Sequence, residues 1–219
     1  MHRLLASLDP AQPGFAGRMR RLLGGCLVLL LAASLAMAVV LPRRLPRLGF
    51  WTGVLQLELG LHGSAERSAR RLIQDAPRAS YDPYRLLAAA LRRQGRFDAQ
   101  LAVLDEAALR LPESWRAQGN RCWYHSLFGD PGSVLAACDR AVALAPSDDS
   151  AALTWRGVAR WLSGDPEGAL EDLRAAVARG EAAGRRDAAH LRVRAWLTAL
   201  EAGQDPFDAD TLDRERERF

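Results

Sequence analysis

The feature that most limits this chain is a spacing. Gly95, Ala107 and Pro112 return as Gly129, Ala141 and Pro146, each shifted by 34 residues. A third copy follows one inserted residue in the loop at 146–150, with Gly164, Ala169, Leu173 and Ala176. Apolar residues at helical spacing fill the intervals, and no useful alternating strand pattern occurs beyond about residue 50. A helix pair with two apolar faces cannot bury both alone. Stacking copies buries the second face, so the period predicts an all-α array.

The pattern resembles the tetratricopeptide repeat, a helix–turn–helix unit. In the copy at 81–114, Tyr84, Leu87, Ala88 and Leu91 match the first helix, and Leu104, Ala107 and Pro112 match the second. Gln100 stands where the family has a small residue. In the copy at 115–149, Cys122 takes the small position and Val134, Cys138, Ala141 and Pro146 follow, while Gln118 and Arg121 fit poorly. In the copy at 150–183, Leu153, Gly157, Ala169, Leu173 and Ala176 fit, and Arg156 and Arg160 do not. A degenerate copy is expected over 50–80, and a capping helix with a charged tail over 184–219. In that tail "ADTLDRERERF" reads as a short solvated helix or a frayed end. The resemblance implies an α-solenoid of about three to four repeats. Small residues at Ala88, Cys122 and Gly157 would let paired helices approach. The loop glycines would permit a left-handed turn between helices.

Upstream lies a different kind of segment. Residues 22–41, "LLGGCLVLLLAASLAMAVVL", carry no charge over a length that can span a bilayer. Arg18, Arg20 and Arg21 precede it; Pro42 and Pro46 are read as ending it. The expected order is a tail at 1–21, a transmembrane helix at 22–41 and a linker at 42–49. The arginines beside the span favour a cytoplasmic tail and an extracytoplasmic repeat domain at a bacterial inner membrane. A cleaved signal peptide ending near Ala38 is the alternative, giving an exported soluble protein.

Charge separates these regions. Residues 1–50 hold seven Arg and one acid, whereas residues 51–219 hold 23 Arg and 25 acids. The basic excess therefore lies outside the repeats, which argues against a nucleic-acid partner. The spacing of Cys122, His125 and Cys138 superficially suggests metal ligands, but all three fall on inner packing positions of the repeat. Cys122 and Cys138 would face each other across one helix pair, and a disulfide in an oxidising compartment is a separate reading. No nucleophile, phosphate loop or cofactor motif is present, so neither enzymatic activity nor a cofactor or metal is expected.

The resemblance also implies a concave groove lined by first helices. Its expected residues are Arg85, Arg92, Arg93, Arg116, Asn120, Trp123, Trp155 and Trp161. Arg and Trp are the types that anchor partners best. Packing within the fold is the competing reading for Trp155 and Trp161. Co-chaperone members of the family grip a carboxylate with basic and Asn residues. Here Arg85 and Asn120 match two such places, whereas Ala89, Ala151 and Trp155 cannot serve at the others. The expected role is a membrane-anchored, non-enzymatic adaptor for other envelope or membrane proteins, tethered to lipid through residues 22–41. A structural accessory subunit of a larger membrane complex is the alternative.

Overall fold

The computed structural model describes residues 46–218. The tail at 1–21, the apolar segment at 22–41 and the start of the linker lie outside the described residues. No helix among the described residues is long and apolar enough to cross a membrane.

The described chain is helical, without strands: α1 (Pro46–Glu58), α2 (His62–Asp75), α3 (Asp82–Arg93), α4 (Phe97–Arg110) and α5 (Trp115–Phe128). A 3₁₀ turn (Gly132–Val134) leads into α6 (Leu135–Leu144), followed by α7 (Ala151–Leu162), α8 (Pro166–Ala182), α9 (Ala188–Glu201) and α10 (Ala209–Arg218). The chain divides after Thr52, and the larger unit runs from Gly53 to Phe219. Pro46 lies in the first described turn of α1, so α1 overlaps the segment read as linker. Proline suits a first helical turn because its missing N–H has no intrahelical acceptor there.

Within the larger unit α2 to α9 pack in sequence, each on the next, and α5 also packs on α7. Small side chains set the spacing. Ala88 and Cys122 are buried. A Cβ on Gly157 would lie 3.1 Å from Leu173 Cγ and 3.2 Å from Asp172 Cβ, so α7 and α8 touch there almost backbone to side chain. Leu91, Leu104 and Leu173 fill the space between helices, fully buried.

The turns explain the glycine spacing in part. Gly95 (φ 70°) and Gly164 (φ 85°) are left-handed and end α3 and α7. In both, the following N–H reaches back to close the helix, Arg96 N to Leu91 O at 3.0 Å and Asp165 N to Arg160 O at 2.9 Å. Gly129 departs from this. Its φ of −131° is not left-handed, and the chain turns instead through Pro131 and the 3₁₀ segment.

The arginines that break the repeat pattern are paired across helices. Arg121 Nε lies 2.7 Å from Asp105 Oδ1, and Arg156 Nη1 lies 2.9 Å from Asp139 Oδ1. Asp105 and Asp139 stand at the same place in successive copies, as do Arg121 and Arg156 once the inserted residue is counted. Gln118 is buried but satisfied, donating to Ala108 O at 2.9 Å.

Candidate functional site

The C-terminal segment does not extend into solvent; it folds back across the first helices of the array. Asp205 accepts from Trp161 Nε1 at 3.0 Å. Phe207 is buried, 5.1 Å from the Trp196 ring and 6.3 Å from that of Trp161. α10 then packs on α5. Leu212 joins the apolar cluster that holds Trp123, Leu127, Trp196 and Phe207. Glu215 is only 2% exposed, its Oε1 3.3 Å from Arg192 Nε on α9. Arg216 donates from Nε to Leu127 O at 2.7 Å and lies over the Phe128 ring at 5.8 Å. Arg92 Nη1 on α3 donates to Arg216 O at 3.1 Å.

The tail is the short helix of the two expected readings, but it is docked on one face and not wholly solvated: Ala209, Asp210, Asp213 and Arg214 are exposed while Glu215 is buried. A charged residue is buried in it because Arg192 supplies the opposite charge, and a buried carboxylate without such a partner would be costly. The sequence signal was weak: one leucine in ten residues, with Glu215 and Arg216 at the helical offsets i+3 and i+4 from it.

The predicted groove residues separate into two sets. Arg85, Arg93 and Arg116 are exposed, and Asn120 is half-buried, donating to Arg116 O at 2.9 Å. Arg92 is half-buried against α10. Trp123 is corrected: at 3% exposure it is a core residue and presents no free surface. Trp155 is half-buried and stacks on Trp115 with ring centroids 5.9 Å apart. Its ring lies against α5, where a Cβ on Gly119 would come within 2.2 Å of Cζ3. Trp161 is held by Asp205 and Phe207. Trp155 and Trp161 thus join parts of the fold together.

Residues missed by sequence reasoning complete the face. Burial pushes the Tyr124 phenol up, and Arg92 and Arg85 pull it partly back. Burial likewise raises Tyr81, and the Arg85 guanidinium pulls it partly back. Burial lowers Arg92. Tyr81, Arg85, Arg92 and Tyr124 therefore form one cluster on α5, on α3 and just before α3. Beside Arg192 a cavity of about 210 Å³ opens among Thr154, Trp155, Arg185, His190 and Val193. The buried His190 fits because Gly180 opposite lacks a Cβ, which would lie 2.3 Å from Nδ1.

Cys122 and Cys138 are joined, with S–S 2.11 Å and Cα–Cα 5.0 Å, binding α5 to α6. His125 Nε2 lies 3.1 Å from Asp105 Oδ1. No group of three metal-ligating side chains converges among the described residues.

No protein-family model matches the chain, and no curated protein matches it. Solved structures do. TTC0263, a thermophilic tetratricopeptide repeat protein of Thermus thermophilus, is 21% identical, with a TM-score of 0.55 over 82% of this chain and 96% of that one. A double mutant of MamA RS-1 is 17% identical, with a TM-score of 0.57 over 79% of this chain and 97% of that one. MamA 41-end from Desulfovibrio magneticus RS-1 is 17% identical, with a TM-score of 0.51 over 73% and 96%. The chain has a tetratricopeptide-like helical fold.

Proposed function

We propose that this chain is a membrane-anchored, non-enzymatic adaptor whose first-helix face binds other proteins of the bacterial cell envelope. The carrying observation is the face itself: Arg85, Arg93 and Arg116 are exposed, Arg116 lies 4.9 Å over the half-buried Trp115 ring, and a helix from the chain's own tail already packs on α5. Arginine beside aromatic surface is the chemistry of protein recognition, since guanidinium groups bind carboxylates bidentately and stack on rings. Repeat arrays of this fold offer extended binding surfaces.

The anchor in this reading is the apolar segment 22–41, and the partner is itself an envelope or membrane protein. Placing the repeat domain outside the inner membrane is supported by the Cys122–Cys138 bond, since disulfides persist in oxidising compartments.

The test is co-purification from gently solubilised membranes, comparing the wild type with an Arg85→Ala, Arg93→Ala, Arg116→Ala variant. These side chains are exposed, so the variant should fold. Loss of specific partners from the variant is the expected result. Equal partner recovery from both would place the binding surface elsewhere and end this reading.

A further inference from the structure

We propose that α10 is an intramolecular ligand of the first-helix face, and that the partner entering there is an amphipathic helix with a leucine-sized residue three positions before a carboxylate. This deepens the adaptor reading and rests on it.

Besides Arg216, which donates to Leu127 O, three anchors hold α10, and each of the three specifies one property of a helix that could replace it. Leu212 enters the apolar cluster, which requires an apolar side chain. Three residues later Glu215 meets Arg192 while almost fully buried. A neutral side chain there would leave the arginine facing apolar surroundings without its counter-charge. The third anchor is Arg92, whose N–H donates to a backbone carbonyl in the last turn of α10. Carbonyls of a last turn lack intrahelical donors and carry the negative end of the helix dipole. Arg92 therefore reads the C-terminal end of a helix, whatever its sequence. Together these contacts fix the direction of the occupant, with its C-terminus toward α3.

The same contacts make α10 replaceable. Its sequence, ADTLDRERER, has Leu212 as its one large apolar residue. A helix of this length is marginal alone and depends on docking. Elements with few buried apolar contacts open at low free-energy cost. A partner helix with the same leucine–carboxylate spacing and a larger apolar face would compete for the same anchors.

The experiment uses the full chain in detergent micelles and a fluorescein-labelled peptide of residues 205–218. A tail variant, Leu212→Ser with Glu215→Gln and Arg216→Ala, weakens α10 and leaves the face intact. Apparent affinity scales with the fraction of chains whose face is open. The tail variant should therefore bind the peptide about tenfold or more tightly than the wild type. Binding should be lost with a Glu215→Gln peptide, and when Arg192→Gln is added to the tail variant. Hydrogen exchange checks the release: α10 amides should speed up while those of α5 and α7 stay protected.

Released α10 amides with no peptide binding would overturn the proposal. So would α10 amides as protected in the variant as in the wild type, because Leu212 and Glu215 would then not be its anchors. A wild-type dimer formed by exchanged tails would make a second copy the occupant and remove the separate partner helix. Partners lost only from the Arg85, Arg93 and Arg116 variant, with no peptide binding, would leave the adaptor reading standing and this one refuted.

Discussion

Arg156 grips both carboxylate oxygens of Asp172, Nε at 2.8 Å and Nη2 at 2.6 Å, and Arg160 adds a third contact at 3.0 Å. Asp172 is 2% exposed. Its hydrogen bonds hold the Arg156 guanidinium above its ordinary pKa. Removing one partner of a buried ion pair is severe because the other charge remains. Asp172→Ala should cost about 3–5 kcal/mol, read as a lower urea midpoint at unchanged slope. A loss near zero would mean that water already screens the cluster.

The Cys122–Cys138 bond closes a loop with a sequence separation of 16. A cross-link over a loop of that length constrains the unfolded chain by about 3 kcal/mol. Reduced protein should therefore unfold at a markedly lower temperature than oxidised protein, and intact-mass analysis of alkylated protein should find that pair blocked. Free thiols at both positions in protein isolated without reductant would contradict the bond.

Gly119 is where the Trp155 ring meets α5. Gly119→Ala adds a methyl group inside the ring's volume and should cost about 1–3 kcal/mol by overpacking. The readout is local, a shift in tryptophan emission and a broken stack with Trp115. An unchanged spectrum together with unchanged stability would show that the ring lies elsewhere.

Asp187 caps α9, accepting from His190 N at 2.9 Å, and also accepts from Arg185 Nε at 2.9 Å. The Arg185 contact first, and then the backbone N–H, lower its pKa to about 2. Because the folded value lies below the ordinary value of about 3.9, its contribution is complete above about pH 4 and fades as pH falls toward about 2. The advantage of wild type over Asp187→Asn should shrink across that window. A carboxyl titration midpoint near the ordinary aspartate value for Asp187 would refute the assignment.

Much of the fold was legible because repetition is an internal comparison. Ala88, Leu104, Ala107, Cys122 and Leu173 sit where a helix pair needs small or large apolar groups, and burial follows from spacing alone. Arg121 and Arg156 looked like misfits because periodicity ranks positions by apolarity. Their acidic partners lie on neighbouring helices, Asp105, Asp139 and Asp172, where only tertiary packing brings them together. The face was half legible. Exposed Arg85, Arg93 and Arg116 could be placed from the helical register. Trp123 could not, because the residues that share its cluster, among them Leu153, Leu173, Val193, Trp196 and Phe207, come from later helices and turns that only tertiary packing brings to it. Hydrophobic pattern has no signal for a helix held by one leucine, one buried glutamate and backbone carbonyls.

The hydrogen bond from Arg92 to Arg216 spans 124 residues of sequence. Arrays of this fold are otherwise built from nearest-neighbour contacts, so each unit stabilises only the next and the ends can fray independently. The returning helix acts as a clasp between an early repeat and the capping helix α9. With the clasp shut, loosening at one end strains the other, and the array melts as a single block. With it open, the units regain their independence, and the curvature of the array becomes free to follow whatever it holds.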